Sequence, residues 1–147
     1  MSLIAADCVE YKERRKVCTA EEKGKKYVLN NPSLLEVSKI RLDKCVPQKE
    51  GQKLCDYLMS FDNGVRKRAI FIELKGRKIE DAAKQICSSV GLLKKEFSNH
   101  RIDARIVGNR DVPGYVNTVH YRNLAKEILP TKGNIDRSTN GFYSETV

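Results

Sequence analysis

Three residues in the stretch from Cys55 to Gly76 have the types and spacing for chemistry on phosphate esters: Asp56, Glu73 and Lys75. Glu73 and Lys75 follow the apolar run Ala69 to Ile72 and are two positions apart. Strand alternation sends such positions to one face. Two carboxylates offer hard oxygen ligands to Mg2+ or Mn2+. Such an ion orients a water, helps form hydroxide and stabilises the charged transition state of phosphodiester cleavage. The carbonyl of Leu74 is a further candidate ligand. Lys75 can orient the nucleophile, neutralise developing charge or accept a proton. For E-x-K taken alone, a salt bridge of Lys75 with Asp56 or Glu73 across a half-exposed sheet is the plain alternative.

Positioning these groups falls to a hairpin. Residues 54 to 61 and 69 to 75 read as neighbouring antiparallel strands joined at Asn63-Gly64, a strong two-residue turn signal. With that dipeptide as pivot, Glu73 pairs with position 54 and Lys75 with position 52. Asp56 then lies two residues from the pairing, where it can share a face with Glu73, and a slip of one residue would separate them. Apolar residues at 79, 83, 86, 90, 93 and 97 predict an amphipathic helix after Gly76. Residues 101 to 109 predict a strand that returns parallel to the one ending at Lys75.

The remaining segments read more simply. Leu3 to Cys18 has near-helical spacing and predicts a short helix, "NNPS" a turn, and residues 34 to 46 a strand of mixed faces. "PQKEGQK" is a connection and "RDVPG" a turn. Residues 115 to 129 form a second helix, stopped before Pro130, and the tail is loop or a weak edge strand. The fold class expected is α/β, a mixed sheet flanked by helices, in one domain over 1–147 with its core at about 35–129. A chain of 147 residues suits one core.

Composition narrows the setting. A charged fraction of 32% and the absence of long apolar runs argue against a membrane protein. The N-terminus does not read as a signal peptide, so the cytoplasm is the expected compartment. Cys8, Cys18, Cys45, Cys55 and Cys87 are odd in number and widely spaced, and are read as reduced thiols rather than a zinc site. No glycine-rich phosphate loop or serine–histidine triad is visible, and His120 reads as a surface or packing residue. The net charge of +9 favours polyanionic partners. The groups Arg66, Lys67, Arg68 and Arg77, Lys78 are the expected nucleic-acid contacts, flanking the acidic site.

"CDYLM", "IFIELKG" and "AAKQI" together resemble the PD-(D/E)XK nuclease superfamily over about residues 35 to 110. The resemblance implies a restriction-endonuclease-like fold. Asp56 would be the strand aspartate, Glu73-Leu74-Lys75 the E-x-K, and Gln85 the polar residue contributed by the following helix. The proline that names the motif is replaced by Cys55. The implied activity is a Mg2+- or Mn2+-dependent nuclease, on DNA ahead of RNA, in genome defence or repair. A homodimer or larger complex would cut both strands of a duplex. An extra acid from the N-terminal segment is also implied, with Glu10, Glu13, Glu21 and Glu22 as candidates, and Asp43 is either a third site carboxylate or a turn residue. The competing reading is a non-catalytic module on the same fold, binding nucleic acid or protein.

Overall fold

Continuous apolar runs need cover on both faces of a sheet, and the centre of this protein is built that way. The computed structural model describes residues 2–74, 79–109 and 114–147. Nine strands are present among them: β1 (Val9–Glu13), β2 (Val17–Glu22), β3 (Lys25–Asn30), β4 (Val37–Arg41), β5 (Tyr57–Asp62), β6 (Lys67–Glu73), β7 (Arg101–Val107), β8 (Ile135–Ser138) and β9 (Phe142–Thr146). The α-helices are α1 (Ile79–Leu93) and α2 (Val119–Ile128). β1-β4-β5-β6-β7-β8 form a mixed six-stranded sheet, and β2-β3-β9 a second sheet of three strands.

The faces of the large sheet carry different layers. Leu58, Ala69, Phe71, Ala104 and Ile106 pack with Ala82, Ala83, Ile86, Val90 and Leu93 of α1 and with Leu124 and Ile128 of α2. Met59, Phe61, Ile70 and Ile72 instead meet Cys18, Ala20, Tyr27 and Leu29 of the small sheet. Helices therefore cover one face and a sheet the other among the described residues, where the sequence suggested helices flanking the sheet. The core accordingly begins well before residue 35.

The meander, the α1 crossover and the parallel return of β7 beside β6 match the sequence expectation. So does α2, whose Thr118 hydroxyl caps the helix by accepting from Tyr121 N. The N-terminal helix expected from Leu3 to Cys18 is corrected. Only Ala6–Cys8 makes a single 3-10 turn, and the chain then enters β1 and β2. Cys18 and Ala20 point inward with period two, as do Tyr27 and Leu29 opposite them. Lys23 and Gly24 both take positive φ, the backbone of a type I′ hairpin turn. The tail supplies two strands, β8 beside β7 and β9 parallel to β3, rather than one weak edge.

The reading of all five cysteines as reduced thiols is also corrected. Pairing of Val9 with Ile40 brings the start of β1 beside the turn after β4. There Cys8 and Cys45 lie 5.7 Å apart between Cα atoms and form a disulfide, while Cys18, Cys55 and Cys87 are free. Asp7 has a carboxylate oxygen within 4.8 Å of the sulfurs of this pair. No described helix is long and apolar enough to cross a membrane.

Candidate active site

The β5–β6 hairpin turns on Gly64 and Val65, one residue later than the Asn63-Gly64 signal suggests. Asn63 N donates to Arg66 O at 3.1 Å, and of the two central residues only Gly64 has positive φ, at 86°. The shift carries the register by two. Tyr57 pairs with Ile72, so one step further sets Asp56 opposite Glu73. The two acids are thus closer to alignment than the sequence implied, and opposed residues in such a ladder have Cα atoms about 5 Å apart.

Local bonds fix this corner. Asp56 Oδ2 accepts from Leu74 N at 2.8 Å, and Asp56 O accepts from Leu42 N at 3.0 Å. Asp56 and Glu73 are only 3% and 2% exposed, and Leu74 is fully buried. Behind them, Ser89 Oγ on α1 accepts from Cys55 N and donates to Gln85 O, both at 2.8 Å. The second and third turns of α1 are thereby tied to the residue preceding Asp56. Ser89 is a positioning residue that sequence reasoning missed, because a serine inside a helix carries no local sign of a tertiary partner. Burial pushes the Cys55 thiol well above its ordinary pKa, with the Ser89 hydrogen bond opposing and the charges of Glu73 and Asp56 adding to the rise. Both carboxylates therefore act on one buried point, and Cys55 stays a thiol.

Gln85 is half-buried on α1. It lines a cavity with Gln52, Lys53, Asp81 and Lys84, and neither Asp56 nor Glu73 lines that cavity. Lys75, Arg77 and Lys78 lie outside the described residues. Asp43 sits in the turn after β4. The N-terminal acids stand on strands. Glu10 pairs with Lys39 at 2.9 Å and Glu13 with Arg15 at 2.6 Å, while Glu21 and Glu22 end β2. Burial raises the Tyr57 hydroxyl pKa, and the charges of Glu10 and Glu22 raise it further, with Arg41 opposing and Asp56 adding to the rise. Glu10 and Glu22 thus lie within electrostatic reach of the Tyr57 hydroxyl. His120 lies at the surface, 3.7 Å from Glu80.

The basic group at 66 to 68 does not flank the acids. It begins β6, while Glu73 ends it, a separation of roughly 20 Å along the strand. Arg66 and Lys67 are on the outside, but Arg68 is buried at 7% exposure. Its Nε donates to Asp103 Oδ2 at 2.6 Å and its Nη2 to Glu145 Oε1 at 2.8 Å. Arg105 reaches the same Glu145 through Nε at 2.7 Å and Nη2 at 3.2 Å, and Tyr27 Oη donates to it at 2.8 Å. Burial alone would raise the Glu145 carboxyl, but hydrogen bonds and charge from Arg105 and Arg68 outweigh it and hold the pKa at about 2. Arg101, Asp103 and Arg105 alternate with apolar Ile102, Ala104 and Ile106. That alternation of charge with apolar residues, inside a strand expected beside β6, is the sequence signal for this network.

The donor set at the acidic corner suits a hard divalent cation: two carboxylates and the Leu74 carbonyl are all oxygen donors. No cysteine thiolate or histidine, which would favour a softer metal, joins it among the described residues. Comparison of the chain with protein-family models, curated proteins and solved structures found no match.

Proposed function

We propose that the protein is a metal-dependent phosphodiester hydrolase with a restriction-endonuclease-like core, acting on DNA ahead of RNA, with the β5–β6 acidic corner as its active site. The observation that carries this reading is the burial of two carboxylates, Asp56 just before β5 and Glu73 at the end of β6, one step beyond the paired Tyr57 and Ile72. The strand–strand–helix–strand order and the parallel return of β7 also support it. Two buried carboxylates supply hard oxygen donors, which favour Mg2+ or Mn2+.

Asp56, Glu73 and the Leu74 carbonyl would hold the ion, which when bound supplies Lewis-acid activation of water and charge neutralisation at the phosphorus. The Leu74 N–H fixes the orientation of the Asp56 carboxylate by donating to Oδ2. The Cys55–Ser89–Gln85 chain of hydrogen bonds holds α1 against this corner. Lys75 is assigned to orient the nucleophile and offset charge as the bond to the leaving oxygen breaks. Gln85 is assigned to a flanking polar contact with substrate. The cytoplasm is the assigned compartment, and dimerisation would bring two such corners to a duplex.

The test is cleavage of plasmid, linear duplex, single-stranded DNA and RNA with Mg2+ or Mn2+. Activity lost with EDTA and absent in Asp56→Asn supports the reading. Metal-independent activity, or full activity in Asp56→Asn, overturns it. Nucleic-acid binding with no cleavage of any substrate assigns the protein to the non-catalytic class.

A further inference from the structure

The end of the hairpin opposite the acids carries a second charged feature. A cavity of about 420 Å³ opens there, with Arg66, Lys67, Arg68, Arg101, Glu145 and Thr146 among its walls. The Glu145 carboxylate in its wall is fully countered, since Arg68 and Arg105 both bond it. Asp103, fully buried, holds Arg68 on one side and Arg101 Nε at 2.9 Å on the other. Three arginines therefore share two carboxylates, and positive charge is in excess before the rim is considered. The rim adds Arg66 and Lys67. Lys67 reaches Asp62 only at 4.0 Å, with both side chains substantially exposed, so water screens the pair. Arg66 is held over the Phe61 ring at 5.6 Å, which orders its guanidinium at the mouth. Arg101 is half-exposed and presents donors beyond the one it gives Asp103.

We propose that this cavity is an anion site that takes a backbone phosphate of nucleic acid, with Arg66, Lys67 and Arg101 as its contacting residues and Arg68 as a positioning residue beneath them. The guanidinium fork matches phosphate geometry and is weakly hydrated, so Arg66 just before β6 and Arg101 at the start of β7 make a better phosphate cradle than a scatter of lysines. The hydroxyl of Thr146 can add a neutral donor at the rim. The site lies roughly 20 Å along β6 from Glu73, so it binds substrate without sharing groups with the acidic corner. It rests on the hydrolase reading only in naming nucleic acid as the source of the phosphate.

The experiment is fluorescence anisotropy with a labelled duplex of about 20 base pairs in EDTA, where cleavage plays no part, across a salt series. Arg66→Ala/Arg101→Ala should weaken binding about 10-fold at low salt and reduce the slope of log affinity against log salt by about 2, as two phosphate contacts are removed. Arg66→Ala/Lys67→Ala leaves Asp103 paired and should behave alike, which covers the case of the first variant folding poorly. Lys126→Ala/Lys132→Ala removes the same charge from the α2 side and should change the slope far less. Equal losses in this control and in the cavity variants, or unchanged binding in the cavity variants, overturn the proposal. Inorganic triphosphate that binds wild type where the duplex does not overturns the assignment to nucleic acid. Asp56→Asn should bind the duplex like wild type, so loss of cleavage and loss of this site read out separately.

Discussion

The two ends of the β5–β6 hairpin bury charge in opposite ways. Just before β5 and at the end of β6, one step beyond the Tyr57–Ile72 pair, the carboxylates of Asp56 and Glu73 are both buried. From the turn end, Arg68 enters a set of alternating signs with Asp103, Glu145 and Arg105 that extends along β7 to the residue beside Ile72, with donor–acceptor distances down to 2.6 Å. Removing one member of a buried, hydrogen-bonded set of opposite charges strands its partner in low dielectric and costs stability. Two buried carboxylates supply the hard oxygen donors that a divalent cation takes, the ligand proposed for this corner. Similar burial therefore serves an ion-pair network at one end of the hairpin, and at the other it holds the carboxylates proposed to bind an ion.

The largest expected effect tests the chemical end. Asp56→Asn, Glu73→Gln and Lys75→Ala should each lower single-turnover cleavage by about 10³-fold, because each removes a metal ligand or a charge that acts in the transition state. Binding to duplex should survive in all three. The midpoint of thermal unfolding of Asp56→Asn should stay near that of wild type, since an amide oxygen can still accept from Leu74 N. A collapse of stability in that variant would make the acidic corner structural and erase the contrast.

The converse variant sharpens the comparison. Glu145→Gln should leave cleavage chemistry in place while destabilising the fold by about 3 kcal/mol, because Arg68 and Arg105 lose a shared countercharge. Urea unfolding at neutral pH measures this. An unchanged midpoint would show that the arginines find replacement partners.

The pH dependence follows from the same residue. Glu145 has its carboxyl pKa depressed from 4.5 to about 2 in the folded protein. Its contribution is present above the unfolded value and is lost as pH falls from about 4.5 towards 2, worth on the order of 3 kcal/mol in full. Acid titration of stability should show this loss in wild type and a flatter profile in Glu145→Gln. Parallel profiles would remove Glu145 from the account of acid unfolding.

Much of the centre of the fold was legible because its residues obey one period at a time. Ile79, Ala83, Ile86, Val90 and Leu93 repeat at helical steps, and the runs around Met59 and Phe71 are mostly apolar on both faces, as strands covered on two faces must be. The small sheet was hidden because only Cys18, Ala20, Tyr27 and Leu29 mark its inner face, among lysines and glutamates that face solvent. The Cys8–Cys45 bridge depends on the β1–β4 pairing, which joins residues far apart in the chain. The acids were found by type and spacing, yet their alignment turned on which residue follows Gly64 into the turn. Arg68 was grouped with Arg66 and Lys67 by composition, while strand alternation and a carboxylate from the last strand decided its role.

Calorimetric titration with Mn2+ of wild type and of the Asp56→Ala/Glu73→Ala double variant tests the central claim most directly. The account predicts that wild type binds an ion at the acidic corner and that the double variant, still folded, loses that binding. Equal Mn2+ binding by the two proteins would contradict it.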